Sequence, residues 1–229
     1  MPWRGTFPPA RFRIRLKAKG EVDAVKQMFP MFVKLEDRTV LVVGAGHVGE
    51  PKIRGLLPTG AKIRVVAREA SAAVREWARH GELILEERDF APADLEGAML
   101  AVVATALPQL NSIIYRLAQT RGILCNVVDV PDLCDFYYPA LVQRGDLQIA
   151  ISTSGQSPSL AQKIRKQLEE QFGPEYAEFV AELGATRRRV LASNLDPAVK
   201  RELLLSLAGG DVLDALIAEV EPVAQEAAR

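Results

Sequence analysis

The apolar, β-favouring run Ile123–Val128 ends in a carboxylate, Asp129, which Pro131 and two further acids, Asp132 and Asp135, follow closely. An acid at the mouth of a buried strand is either a turn or capping residue or a group placed to take a proton from a substrate. Partial burial at that rim would tune it for proton abstraction. Asp132 and Asp135 are read as turn and capping residues. A second constellation lies upstream. In "VLVVGAGHVG", Gly44, Gly46 and Gly49 stand in G-x-G-x-x-G spacing between an apolar strand and a helical pattern. Gly44 would permit the tight turn, Gly46 would let a pyrophosphate approach the backbone, and Gly49 would let the helix pack closely on the sheet. The helix N-terminus would offer free N–H groups to the phosphates. The motif points to a dinucleotide, against a tight turn with no ligand. His47 lies inside it and is placed to touch the cofactor.

The acid that usually ends the second strand of such a unit is missing. "VVAREAS" offers Arg68, which would favour the 2′-phosphate of NADP, and Glu69, which could serve the ribose of NAD. The residues leave NAD and NADP open. Pro51 removes a backbone donor and is tolerable only in the first helical turn. A third constellation is "ISTSGQSPSLAQKIRKQ": the hydroxyls of Ser152, Thr153, Ser154 and Ser157 precede a helix that Pro158 can start and that carries Lys163, Arg165 and Lys166. Such a turn holds carboxylates or phosphates, or it is ordinary N-capping with a solvated basic face. No Ser-His-Asp set is evident. His80 reads as a helix C-terminal residue. Cys125 and Cys134 lack metal-ligand spacing and read as reduced core thiols, so no metal site is expected.

The elements that must position these groups follow from periodicity. Strands are expected at 39–46, 61–67, 82–87, 97–105 and 123–128, with helices at 47–60, 71–81 and 108–122. Strands alternating with helices make a parallel sheet covered on both faces, and ligands bind outside the carboxyl ends of its strands. Asp129 therefore shares a rim with Gly44–Gly49. Two strand-like runs within 137–154 meet at Gly145-Asp146, a hairpin signal, and leave an edge that a second subunit could cover. Helices follow at 159–172, 174–193, 196–207 and 211–226. The fold class is α/β: a doubly wound (Rossmann-type) parallel sheet, a β-hairpin dimerisation segment and an all-helical C-terminal region. The boundaries are 1–28, a flexible extension; 29–128, the dinucleotide-binding domain; 129–158, the dimerisation and active-site segment; and 159–229, the helical domain. Met28 or Met31 could be the natural start.

The 229 residues carry 29 basic and 29 acidic side chains. Zero net charge argues against a general nucleic-acid binder. No apolar run approaches the ~20 residues that cross a bilayer, and no signal peptide is visible, so a cytoplasmic protein is expected.

With these residues together, the chain resembles the siroheme synthase dehydrogenase/ferrochelatase family. The matching residues are "MFVKLEDRTVLVVGAGHVG", "AKIRVVA", "VVAT" and "RGILCNVVDVPDLCDFYYPALVQRGDLQIAISTSGQSPSLAQKIRKQLE". The resemblance implies NAD-dependent oxidation of precorrin-2 to sirohydrochlorin, with ferrous iron as a further substrate in many members. The family's key aspartate falls on Asp129. Cofactor contacts fall on His47, Val48, Arg68 and Glu69, beside the glycines, and Thr105 is counted with them. The family's use of NAD tips the cofactor from NADP toward NAD. Ser152, Thr153, Ser154, Ser157 and Lys163 would receive the substrate's carboxylate arms, and the family is a homodimer. Departures are Ser154 for a usual glycine, Pro51 for a common Arg, and Ala106 and Leu107 where acids are frequent; the last two weaken any metal or cofactor role for acids beside Thr105. No methyltransferase segment follows Arg229, so methylation of uroporphyrinogen is not expected. The competing reading is a non-catalytic NAD(P)-sensing domain, which would need the glycines but not Asp129 or the hydroxyl-rich turn.

Overall fold

The structure is a computed structural model that describes residues 28–207. The extension expected over 1–28, Met28 apart, and the helix expected at 211–226 lie outside the described residues. The chain divides into two units, Met1–Met31 and Phe32–Arg229; the second carries all that follows.

Five strands form one parallel sheet: β1 (Thr39–Ala45), β2 (Lys62–Ala70), β3 (Ile84–Glu87), β4 (Leu100–Val103) and β5 (Leu124–Val127), in the order β3-β2-β1-β4-β5. Helices α1 (Gly49–Leu56), α2 (Ala72–Arg79) and α3 (Pro108–Thr120) cross between strands. The strand alternation explains the layering. Val40 and Val42 face Ile53 and Leu56 of α1 and Val74 of α2, in one buried cluster. Leu41 and Val43 face Ile114 and Ala118 of α3, in another. Successive side chains point to opposite faces, so a continuous apolar run is what a sheet covered twice requires. Each fully buried Val, Leu or Ile contributes about 1.5–3 kcal/mol. The expected doubly wound fold is what the structure has.

β2 runs three residues beyond its expected end. Val43 pairs with Val66 and Ala45 with Ala70, so Ala67, Arg68 and Glu69 bulge opposite Gly44 alone. Helix α1 stops at Leu56, and a 3₁₀ turn, Leu57–Thr59, replaces its expected last turn; Pro58 supplies no N–H to continue it.

Beyond the sheet, β6 (Ala140–Arg144) and β7 (Leu147–Ile151) form an antiparallel hairpin turning at Gly145-Asp146. Helices α4 (Pro158–Gln171), α5 (Tyr176–Ala192) and α6 (Pro197–Ser206) follow. Ala140 and Val142 are buried, whereas Leu141 and Gln143 are exposed. Arg144 ties the hairpin to the end of α4: its Nε donates to the Phe172 carbonyl at 2.9 Å and its Nη2 to that of Glu169 at 3.3 Å. A cation at the carbonyl end of a helix also suits the helix dipole.

Candidate functional site

The three glycines of the motif meet different surroundings. Gly44 has φ +102°, and a Cβ there would lie 2.4 Å from the Ala104 carbonyl oxygen. At Gly49 a Cβ would lie 2.1 Å from the Gly44 carbonyl oxygen, so α1 packs on the turn backbone to backbone. At Gly46 a Cβ would meet nothing within 4 Å. That open space adjoins the start of α1, where Val48 is the N-cap and supplies no side-chain hydrogen bond. An exposed Gly46, an exposed His47 and a helix end without a side-chain cap form an open cradle whose polarity suits an anionic pyrophosphate. The residues present thus fit a dinucleotide. Pro51 falls third in α1, within the first turn, where its missing donor costs nothing.

The β2 bulge puts Arg68 and Glu69 beside Gly44, both exposed. Arg68 is not free: its guanidinium pairs with the Asp89 carboxylate, beyond β3. A 2′-phosphate arriving at Arg68 would meet Asp89 as well. Thr105 lies beside Gly44, and its hydroxyl donates to Asn111 Oδ1 at 2.5 Å while accepting from Leu107 N. That leaves it one acceptor site for a ligand.

The rim continues without a break to the acid. Ala104 N donates to the Val43 carbonyl at 2.8 Å, and Val128 N to the Val103 carbonyl at 2.9 Å. The carboxyl ends of β1, β4 and β5 are thereby side by side, and Asp129 follows immediately. Its backbone is left-handed, with φ 63°. Asp is among the few residues that adopt this region readily, and such outliers gather at functional sites. Asp129 is exposed to the cleft, so the partial burial expected of it is not present.

Two polar residues hold the Asp129 loop. Asn126, buried in β5, donates to the Phe136 carbonyl at 2.7 Å and to Cys134 Sγ at 3.3 Å. Asp135 accepts from Cys125 N at 2.8 Å, from Gln119 at 2.6 Å and from the Tyr115 hydroxyl at 3.4 Å. Asp135 is therefore a staple between the loop, β5 and α3. Cys125 is a core thiol, pushed up to about 12 by burial, but Cys134 is half-exposed and lines the cleft.

That cleft, of about 580 Å³, joins the rim to the hairpin and α4. Asp129, Cys134 and Tyr138 line it, with Ser152, Thr153 and Ser154 from the turn after β7. Asp129 is the sole carboxylate among its lining residues. The serine turn serves two purposes. Ser152 Oγ accepts from Ser154 N at 3.1 Å, Thr153 Oγ1 from Ser157 N at 3.1 Å, and Ser157 Oγ caps α4 through Leu160 N at 3.3 Å. The Ser152 and Thr153 hydroxyls thus accept from the backbone and keep their O–H to donate to a ligand, whereas Ser157 Oγ also meets the Ser159 hydroxyl at 3.3 Å. Ser154 has φ 51°, which explains why a glycine suits that position. Ser157 caps the helix outside the cleft lining, and Lys163 is exposed and also outside it.

Lys52 was missed by sequence reading. It reaches the cleft from α1 with its Nζ 4.0 Å from the centre of the Tyr138 ring. Burial pushes its ammonium pKa down, and Asp129 and Cys134 partly offset this. The available signal was its helical spacing of four from the exposed Val48. Tyr138 keeps 40% of its surface exposed, but packing around its hydroxyl pushes the phenol up to about 12, so it stays neutral.

Fold and rim together define a dinucleotide-binding protein of Rossmann type, with an acid-bearing cleft at the carboxyl ends of its strands. The family model NAD_binding_7, of NAD(P)-binding proteins, matches residues 31–140, and that of the sirohaem biosynthesis protein central region matches residues 144–171. Siroheme synthase 3 of Aeromonas hydrophila is 35% identical over 189 residues, 82% of this chain and 40% of that protein. Siroheme synthase of Methylococcus capsulatus is 36% identical over 172 residues, 75% of this chain and 36% of that protein. The chain thus spans about 40% of the length of such relatives. The solved structure of SirC, precorrin-2 dehydrogenase, superposes with a TM-score of 0.74 at 30% identity, over 86% of this chain and 98% of that one. The chain belongs to the siroheme synthase dehydrogenase family, and the NAD(P)-binding match bears out the expected nicotinamide cofactor. No helix among the described residues is long and apolar enough to cross a membrane.

Proposed function

We propose that the protein oxidises precorrin-2 to sirohydrochlorin with NAD as hydride acceptor. One observation carries the reading: Asp129, the cleft's sole carboxylate, continues the rim that holds the glycine cradle. In this reading Asp129 is the proton acceptor on the nicotinamide side of the bound cofactor. NAD, when bound, supplies the acceptor for hydride. Gly46 and the start of α1 hold its pyrophosphate, and Arg68 and Glu69 meet its adenosine half. Asp129 takes the proton that leaves with each hydride, so the substrate loses two hydrogens per turnover. The macrocycle covers the exposed Asp129, replaces its water and supplies the burial that the free protein lacks. The hydroxyls of Ser152 and Thr153 donate to carboxylate arms. A cleft of about 580 Å³ lies within the usual range for ligand sites and leaves the rest of a tetrapyrrole in solvent.

Ferrous iron insertion into sirohydrochlorin is the second step of this reading. Asp129 would take the pyrrole protons as iron enters, and the macrocycle itself holds the metal. A homodimer is proposed through the hairpin, whose outer face shows Leu141, Gln143, Gln148 and Ala150 to solvent. A cytoplasmic location fits these soluble substrates.

The test is anaerobic incubation with precorrin-2 and either NAD or NADP, following the tetrapyrrole spectrum. Formation of sirohydrochlorin with NAD, lost in Asp129→Asn while NAD still binds, is the expected result. No oxidation with either cofactor, with NAD bound, would leave a nucleotide sensor instead. Iron insertion no faster than the protein-free rate would remove the second step.

A further inference from the structure

We infer that Lys52 anchors a carboxylate arm of the substrate, held against the Tyr138 ring and working with the hydroxyl-bearing turn Ser152–Ser154 of the same cleft. This rests on the functional reading above and deepens it. Lys52 is half-buried, and among the described residues no carboxylate lies within 4.0 Å of its Nζ. What it has instead is the face of Tyr138 at 4.0 Å. A ring face steadies an ammonium without using up its three N–H donors. An ammonium stripped of part of its water, with the Tyr138 face beside it and the charge of Asp129 near but no carboxylate within bonding distance, is short of hydrogen bonds, and an incoming carboxylate supplies them.

The rest of the lining says what kind of anion fits. Ser152 and Thr153 already accept backbone N–H groups and hold their hydroxyl hydrogens for donation. Positive charge on α1 and donors on the serine turn suit a ligand with carboxylates at more than one point of its periphery. Asp129, the sole acid of the lining, repels carboxylates from its own position. The arms are therefore sorted to Lys52 and the serine turn, and the carbon framework to Asp129. The helix adds a further constraint. Lys52 lies three residues after Gly49, about 4.5 Å along α1, so the helix that starts at the pyrophosphate cradle also carries the anchor. One rigid element thus registers substrate against cofactor.

The experiment measures sirohydrochlorin binding to wild type, Lys52→Met and Lys52→Arg by tetrapyrrole absorbance and fluorescence. NAD binding and steady-state oxidation of precorrin-2 are measured on the same proteins. Met keeps the apolar stem and removes the charge. Lys52→Met is expected to weaken sirohydrochlorin and raise the KM for precorrin-2 about tenfold, with NAD affinity and saturated turnover retained, whereas Lys52→Arg stays within about threefold of wild type. Wild-type affinity is also expected to fall with added salt more steeply than that of Lys52→Met. Unchanged affinity in Lys52→Met overturns the anchor. So does a fall in turnover with affinity retained, which would assign Lys52 to proton transfer at Asp129. Equal loss of NAD affinity overturns it too, because Lys52 would then act through the shape of α1. Wild type that binds no sirohydrochlorin sinks the functional reading and the anchor together; wild type that binds alongside an unaffected variant sinks the anchor alone.

Discussion

Replacing Asp129 tests two separable things, its charge and its backbone. At φ 63° a side chain with no local polar partner costs about 1–2 kcal/mol. Asp and Asn adopt this region readily, Gly without steric cost, and Ala poorly. Asp129→Asn is therefore the substitution that removes the carboxylate while keeping shape and conformation. Removing a general base lowers turnover by about 10²–10⁴-fold, and all three variants, Asn, Gly and Ala, should show that loss. Their melting temperatures should differ. Asn should melt within about 1 °C of wild type, whereas Ala should lose about 1 kcal/mol, which is about 2–4 °C for a chain of this size. Gly gains backbone freedom in both folded and unfolded chains and should fall between them. NAD affinity should survive in all, because Asp129 lies two strands from the glycine cradle. The assay pairs anaerobic precorrin-2 oxidation with thermal melts and NAD titration of each variant. An Asn variant keeping more than about a tenth of wild-type turnover refutes Asp129 as the base. An Ala variant as stable as Asn refutes the backbone argument.

Four further outcomes follow from the rim and the core. Gly46→Val projects into open space, so the melting temperature should hold while NAD affinity falls roughly a hundredfold. Gly49→Ala drives a Cβ to 2.1 Å from the Gly44 carbonyl oxygen and should instead lose about 1–3 kcal/mol of stability, read from denaturant midpoints. Asp89→Ala releases Arg68 and should raise kcat/KM for NADP about two- to fivefold relative to NAD; an unchanged ratio would show that the pair plays no part in cofactor choice. Asp94 is 3% exposed and accepts from Arg88 at 2.6 and 2.8 Å and from Ala91 N at 2.8 Å. Arg88 above all, with the Ala91 amide, holds its carboxyl below the usual 3.8 despite burial. Its folded pKa is below its unfolded one, so its contribution is complete above about pH 4 and drains as pH falls through the folded value. Asp94→Asn should cost about 1–3 kcal/mol at neutral pH and flatten the acid limb of stability against pH; an unchanged limb would count against the assignment.

Much of this was legible because the strongest signals are local. Gly44, Gly46 and Gly49 announce a turn, an open approach and a close packing that depend on a few neighbouring atoms. The strands of the parallel sheet were legible because burial on both faces leaves unbroken apolar runs such as Leu100–Val103. What sequence could not convey was contact across elements. Lys52 carried no motif of its own, and it joins the site only across elements, where it meets Tyr138 and lines one cleft with Asp129. Arg68 could be read toward NADP only while Asp89, 21 residues on, stood out of view. Asp135 passed for a turn residue because its partners, Cys125 and Gln119, lie on β5 and α3. The extra length of β2 was hidden too: a bulge opposite Gly44 is a property of two strands, and neither one encodes it alone.

The two walls of the cleft rest on different supports, and this bears on which of them can move. The Asp129 wall is stapled to the sheet by Asn126 and Asp135, through hydrogen bonds that include a buried amide at 2.7 Å and a backbone donor at 2.8 Å. The serine wall hangs between the hairpin and α4, with Ser154 in a backbone region that only glycine occupies without strain. Its hydrogen bonds are internal to the turn or to the first turn of α4. Adjustment to a bulky, multiply charged ligand should therefore fall on the serine turn, while the carboxylate, Lys52 and the glycine cradle keep their register. A proton acceptor must hold its distance to the reacting carbon, whereas a hydroxyl that only receives a peripheral carboxylate can follow it. In the proposed mechanism the sheet holds the group that cannot be misplaced, and the hairpin turn carries those that can.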